Sequence, residues 1–276
     1  MYEQILYEVD DPVATITLNR PDSLNGWTTR MGAEVRHAVS VAERDPRVVG
    51  IILTGAGRAF CAGADMKVLS AITAGGAPAA EDFSALAVAP DPSRPADLEG
   101  EYTYLLATRK PIIAAINGAI AGMAVPIVLC CDLRFMGSDA VLLTAFAQRG
   151  LVAEWGLSWL LPRLVGPAVA LDLLFSSRKV SGEEAAKLGL VNAAMPPDEV
   201  VAHSRRYIEQ LAARCSPTSM AIMKRQVYEQ LNAGLGAAEQ ESQRLMLESF
   251  TRADFSEGVR SFLEKREPSF ARLGDD

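Results

Sequence analysis

Two stretches constrain this chain more than any others. Residues 48–53 (VVGIIL) and 112–116 (IIAAI) are apolar without alternation, and each runs into small residues. A strand with one wet face alternates, whereas an unbroken apolar run of this length bounded by turn residues reads as a buried strand. The first run is broken by Gly55-Ala56-Gly57 and leads into FCAGADMK (residues 60–67). The second is turned by Asn117-Gly118 and leads into a helix expected over residues 122–131, with Pro126 in its first turn, where proline is tolerated. Both buried strands thus pass through small residues to a helix start. Side chains so small have little to offer a packed core, so the pattern predicts that something other than protein comes close to the backbone there.

The remainder fits an α/β N-terminal core. Residues 4–9 and 13–19 read as two strands joined at Asp10-Asp11-Pro12, with Ala14, Ile16 and Leu18 on one side and Thr15 and Thr17 on the other. Thr28 opens a helix whose stripe is Met31, Val35, Ala38, Val39 and Ala42. A helix ends near Arg109-Lys110, and strands are expected at 133–136 and 141–144. From Leu157 onward the sequence reads as nearly all helical, with apolar stripes and charged faces at 196–215 and 216–231. An amphipathic piece at 255–270 carries Phe262 and Phe270. We divide the chain into a core of residues 1–200 and a helical region of residues 201–276. Residues 71–97, rich in Ala, Gly, Pro and Ser, read either as a flap beside the site or as an indifferent surface insertion.

A hydrophobic fraction of 49% excludes a disordered chain. The net charge of −7, with no Lys/Arg-rich run, argues against a nucleic-acid partner. The apolar stretches at 112–116 and 127–131 fall well short of the roughly 20 residues a membrane span needs. The acidic N-terminus MYEQILYEVDD does not read as a signal peptide, and the expected location is the cytoplasm. Cys61, Cys130, Cys131 and Cys215 have no CxxC spacing and read as reduced thiols. The two histidines, His37 and His203, lie in helix-patterned segments with charged neighbours and read as surface residues. Neither a metal site nor a Ser-His-Asp triad is expected.

A helix start presents peptide N–H groups without internal partners and adds partial positive charge. Two starts brought together would offer two donors to one oxygen anion, the requirement for stabilising an enolate or a tetrahedral intermediate. The segments LNRPDSLNGW, GAGRAFCAGADMK, KPIIAAINGAIAG, CCDLRF and EKREPSF occur in the order and spacing of the crotonase superfamily, the enoyl-CoA hydratase/isomerase family. The resemblance runs from about Tyr7 to the C-terminus. It implies an α/β fold built as a spiral of ββα units, a helical C-terminal region used for trimerisation, and an acyl-CoA thioester substrate. No cofactor is implied, since coenzyme A enters as part of the substrate. By the same match, the N–H groups of Ala64 and Met123 are the oxyanion donors; Met123 stands where the family usually has glycine. Ala62, Asp65 and Met66 would line the adenine and pantetheine path, with Asp22, Ser23 and Leu24 beside it. Lys265 resembles a lysine that reaches the CoA phosphates from a neighbouring subunit of a homotrimer or hexamer. Asp65 also reads as a helix cap, and Lys265 as a solvated charge.

The chain departs from the family where the usual hydratases place two glutamates around a water: the matching positions are Pro126 and Phe146, neither of which can carry a proton. Hydration by that mechanism is therefore not expected. One carboxylate stands in a suggestive place, Glu154 in RGLVAEWGLSWLLPRLVG. Burial would make it a competent acid or base near neutral pH. An aspartate at the corresponding position moves a proton in the family's dienoyl-CoA isomerases and attacks the ring in a chlorobenzoyl-CoA dehalogenase. Three readings follow: double-bond isomerisation or a hydratase-like reaction with Glu154 as acid/base; hydrolysis or dehalogenation with Glu154 as nucleophile; and thioester binding without catalysis. Glu154 also reads as a cap of the following helix, and Glu101 is a second candidate acid. Phe146, Trp155 and Met123 suggest a bulky apolar acyl lining.

Overall fold

The computed structural model describes residues 2–75, 81–92 and 94–274. Its core is a six-stranded sheet. Strands β1 (Ile5–Asp10) and β2 (Val13–Leu18) form an antiparallel hairpin, and helix α1 (Thr29–Arg44) follows, its first turn capped where the Thr28 hydroxyl accepts from the Met31 N–H. Strand β3 (Gly50–Gly55) then pairs parallel to β2.

From β3 onward the chain repeats one unit. Strand β3 hands over to β4 (Ala59–Cys61) and then helix α2 (Met66–Thr73). A short helix, α3 (Tyr104–Ala107), precedes β5 (Ile112–Ile116), which hands over to β6 (Ala119–Ala121) and helix α4 (Ala124–Leu129). Strand β7 (Leu133–Gly137) hands over to β8 (Val141–Leu143) and helix α5 (Leu157–Ser176). The first strand of each unit joins the large sheet and the second joins a small one. The large sheet has the order β1-β2-β3-β5-β7 and is closed by β10, described below; the small sheet runs β4-β6-β8. This is the expected spiral of ββα units.

The apolar runs are explained by burial on both faces. In β3, Ile51 and Leu53 join the main core while Ile52 faces the other way; in β5, Ile112, Ala114 and Ile116 divide likewise from Ile113 and Ala115. Side chains alternate along a strand, so a strand covered twice needs no polar residue.

The expectation of an all-helical stretch after Leu157 is corrected in two places. Strand β9 (Val180–Ser181) pairs antiparallel with β8, and after helix α6 (Gly182–Lys187) strand β10 (Ala193–Met195) pairs parallel with β7. Strands this short carry no readable period. Helix α7 (Val200–Arg214) covers the second face of the large sheet through Val200 and Ile208. Helices α8 (Pro217–Gln230), α9 (Leu235–Ser249) and α10 (Ala253–Glu264) lie further out. Asp132 ties α8 to the core, accepting from the Ile112 N–H at 2.7 Å, the Lys224 Nζ at 2.7 Å and the Tyr228 hydroxyl at 3.0 Å.

Helix α5 passed unremarked among the apolar stretches of the sequence, although it is long and apolar enough to cross a membrane. Gly166, with φ 76° and ψ 160°, interrupts it between Pro162 and Pro167. Each half is then much shorter than a span. The four cysteines are free thiols. The histidines are half-buried rather than on the surface: His37 Nδ1 is 2.8 Å from the Tyr2 hydroxyl, and the His203 ring meets Phe135 edge-on. Of residues 71–97, positions 76–80 and 93 lie outside the described residues. In the rest, Glu81 pairs with Arg30 and Arg94 with Glu43, both on α1.

Candidate active site

The two small-residue turns meet. Strands β4 and β6 pair in parallel, Cys61 opposite Ile120, so the turns that follow them leave the small sheet side by side. A side chain on Gly63, where φ is +100°, would begin 3.0 Å from the Ala121 carbonyl oxygen and 3.8 Å from the Gly122 Cα. Gly122 itself has φ +53°. Gly63 is thus needed for the approach of one turn to the other and Gly122 for its left-handed backbone, uses the sequence pattern did not reveal. Ala62, by contrast, is exposed, and there the space is open to a ligand.

The segment after β2 runs along the first turn like a third strand. The Ala62 N–H donates to the Leu24 carbonyl, the Trp27 N–H to Gly63, and the Asp65 N–H to Trp27. These bonds leave the Ala64 N–H out of the ladder. Among the described residues, neither the Ala64 amide nor the Met123 amide at the N-cap of α4 has a protein acceptor. Two unused donors therefore stand on turns in van der Waals contact. Met123 is half-buried, packed against the core.

Around this pair the expected residues divide. Ser23 and Met66 are exposed, and Leu24 is half-buried beside Ala62. Asp65 is different: it is 8% exposed and pairs with the Arg20 guanidinium at 2.8 Å. That carboxylate is held by protein, so any part it takes along a CoA path would pass through its backbone. Arg20 and Asn25, which the sequence reading did not single out, build the turn. Arg20 also donates to the Gly26 carbonyl, and the Asn25 amide donates to the carbonyls of Ala56 and Ala59. Lys265 is exposed at the left-handed C-cap of α10.

On the far side of the turns, Phe146 is buried and Trp155 is 46% exposed. Glu154 lies between Ala153 and Trp155 and is half-buried, less enclosed than the sequence suggested. The residue capping α5 is Gly156, without a side-chain bond, and among the described residues the Glu154 carboxylate has no hydrogen bond or ion pair. The cap reading of Glu154 thus finds no bond behind it. Three rings link the acid to the oxyanion turn. Trp27, bridged to Ala64, meets Tyr102 edge-on at 5.8 Å, and Tyr102 meets Trp155 at 5.4 Å. Glu101, next to Tyr102, is exposed, yet partial desolvation holds its carboxyl above the usual range.

A cavity of about 320 Å³ lies elsewhere, between α1 and the chain leading to α3. Of the four arginines that line it, Arg94 and Arg109 pair with Glu43 and Arg36 with Glu99, while Arg44 has no ion pair among the described residues.

Comparison with known proteins agrees with this geometry. Residues 8–272 match the family model for enoyl-CoA hydratase/isomerase. A protein of Rhodobacter capsulatus named "Probable enoyl-CoA hydratase" is 35% identical over 269 residues, covering 98% of both chains. The 1,2-epoxyphenylacetyl-CoA isomerase of Escherichia coli is 32% identical, covering 98% of this chain and 99% of its own. A crystal structure of an enoyl-CoA hydratase/isomerase from Mycobacterium paratuberculosis superposes with a TM-score of 0.80 at 28% identity, covering 98% of each chain. With paired ββα turns, two unused amides between them and matches along nearly its whole length, this chain belongs to the enoyl-CoA hydratase/isomerase family of the crotonase superfamily.

Proposed function

We propose that the protein moves a proton within an enoyl-CoA thioester, most simply shifting its double bond, with the Ala64 and Met123 amides holding the enolate oxygen and Glu154 carrying the proton. The observation that carries this reading is the pair of amides without protein acceptors on two touching turns. A preorganised donor of that kind lowers the barrier by about 2.7–4 kcal/mol. Glu154 supports the second half, being an unpaired carboxylate joined to the oxyanion turn through Trp27 and Tyr102. Isomerisation needs one shuttling carboxylate, whereas the two-water-binding-acid route needs two, and Pro126 and Phe146 supply none. CoA would enter along Ser23, Leu24, Ala62 and Met66.

The test is incubation with a panel of enoyl-CoA thioesters in deuterated water. Deuterium should enter at the α or γ carbon of at least one of them. Tight binding across the panel without exchange would instead mark a non-catalytic thioester-binding protein.

A further inference from the structure

We propose that the Tyr102 hydroxyl is a specificity-determining donor in the acyl pocket, there to bind an oxygen atom on the acyl chain beyond the thioester. The inference rests on the acyl-CoA reading of the site and adds the chemical class of acyl group it selects. Tyr102 is 4% exposed, and its ring is held edge-on by Trp27 on one side and Trp155 on the other. Those contacts fix where the hydroxyl points, and a phenylalanine would make them equally well. Yet the hydroxyl has no hydrogen-bond partner among the described residues. Unlike the Tyr7 hydroxyl, which is sealed inside the protein, it keeps contact with open space.

Its neighbours identify that space. Trp27 bridges to Ala64 at the oxyanion turn, and Trp155 follows Glu154. Glu154, Glu101, Cys61 and Cys130 all lie within electrostatic reach of the phenol. Burial, with two carboxylates nearby, pushes its ionisation far above the usual range. The group therefore keeps its proton at every physiological pH. Between two tryptophans, which contribute only indole N–H donors, the Tyr102 hydroxyl thus keeps its proton and has no protein partner among the described residues. A buried donor without an acceptor is unfavourable, and a ligand that supplies one is favoured over an isostere that does not.

The probes are hexanoyl-CoA and its two isosteres with an ether oxygen in place of the fourth or fifth chain atom; an ether accepts hydrogen bonds but cannot donate. Calorimetric titration of the wild type and Tyr102→Phe gives each Kd. For at least one ether, the affinity ratio of ether to hexanoyl should fall about fivefold or more in the variant, the worth of one ordinary hydrogen bond. Hexanoyl-CoA itself should bind the variant at least as tightly as the wild type, since phenylalanine leaves no donor unsatisfied beneath it. Ratios that match between the two proteins for both ethers overturn the inference, whatever happens to overall affinity. A readout independent of the variant's folding is the NMR shift of ζ-carbon-labelled Tyr102 in the wild type. It should move with an ether and not with hexanoyl-CoA, and equal movement with both also overturns the inference. A wild type that binds none of the three rejects the acyl-CoA reading itself, and the inference falls with it.

Discussion

At the scale of single residues, the proposed chemistry divides between groups the protein has used up and groups it has left open. Asp65 is used up, buried against Arg20; Glu154 is left open. That contrast makes Glu154→Gln the most informative substitution. Glutamine keeps the size and can hydrogen-bond but cannot take up a proton near neutral pH. We expect the variant to fold and bind acyl-CoA as the wild type does while losing at least about a hundredfold in turnover, the usual share of a general acid or base. Calorimetry for binding and steady-state kinetics for turnover make the comparison. Turnover undiminished in the variant would remove Glu154 from the mechanism and direct attention to Glu101. A nucleophilic role leaves a covalent adduct visible by mass spectrometry, and a proton carrier leaves none.

At the scale of elements, the oxyanion pair depends on how closely two turns approach. In Gly63→Ala, a methyl group would be forced onto the Ala121 carbonyl from a backbone conformation that side chains rarely adopt. The expected cost is about 1–3 kcal/mol of stability, together with a fall in turnover per folded molecule as the turns separate. Denaturant unfolding and kinetics on the same preparation test both parts; stability lost with turnover intact would dissociate the turn geometry from the chemistry. The end of α10 makes a second case. Glu257 accepts from both Arg266 terminal nitrogens, at 2.6 and 3.0 Å, from Arg260 and from the Ser269 N–H at 2.8 Å. The two arginines and that amide hold its carboxyl far below the usual range. A depressed carboxyl stabilises the fold above its unfolded pKa of about 4.3, and that contribution is lost as pH falls toward the folded value. The Ser269 amide should therefore exchange faster with solvent as pH drops below about 4, once the intrinsic pH dependence of exchange is removed. Glu257→Gln should show the faster exchange already at neutral pH. An amide equally protected in both proteins would contradict this account.

At the scale of the whole molecule, many large apolar side chains stand exposed on the outer helices. A compact monomer of 29.6 kDa exposes roughly 11,600 Å² by the usual scaling, whereas this chain exposes 14,044 Å². The uncovered side chains cluster on the outer helices: Phe175 on α5, Met223 and Val227 on α8, Leu247 on α9, and Phe262 and Leu263 on α10. Large apolar side chains exposed together in this way mark a surface that binds protein. We expect a homotrimer, or a hexamer made of two, by light scattering at micromolar concentration. A charged residue at Phe262, as in Phe262→Glu, should shift the mass toward smaller species. A monomeric wild type would refute the expectation, and with it the idea that Lys265 reaches CoA from a neighbouring subunit.

Much of this was legible in the chain itself. The β1–β2 hairpin, the Thr28 cap, the doubly buried β3 and β5 and the two small-residue turns are local patterns, because hydrophobic period and Gly/Pro punctuation act over a few residues. That Pro126 and Phe146 carry no proton could likewise be read off directly, since neither side chain ionises in any fold. The small sheet could not be read in advance: three-residue strands such as β4 and β6 carry no period, and they exist because a neighbour pairs with them. Nor did sequence reveal that a side chain at Gly63 would meet the Ala121 carbonyl, that Asp65 belongs to Arg20, or that Tyr102 stands between Trp27 and Trp155. Each of those facts joins segments distant along the chain. Local propensity has no term for such contacts, and only the packing of the spiral decides them.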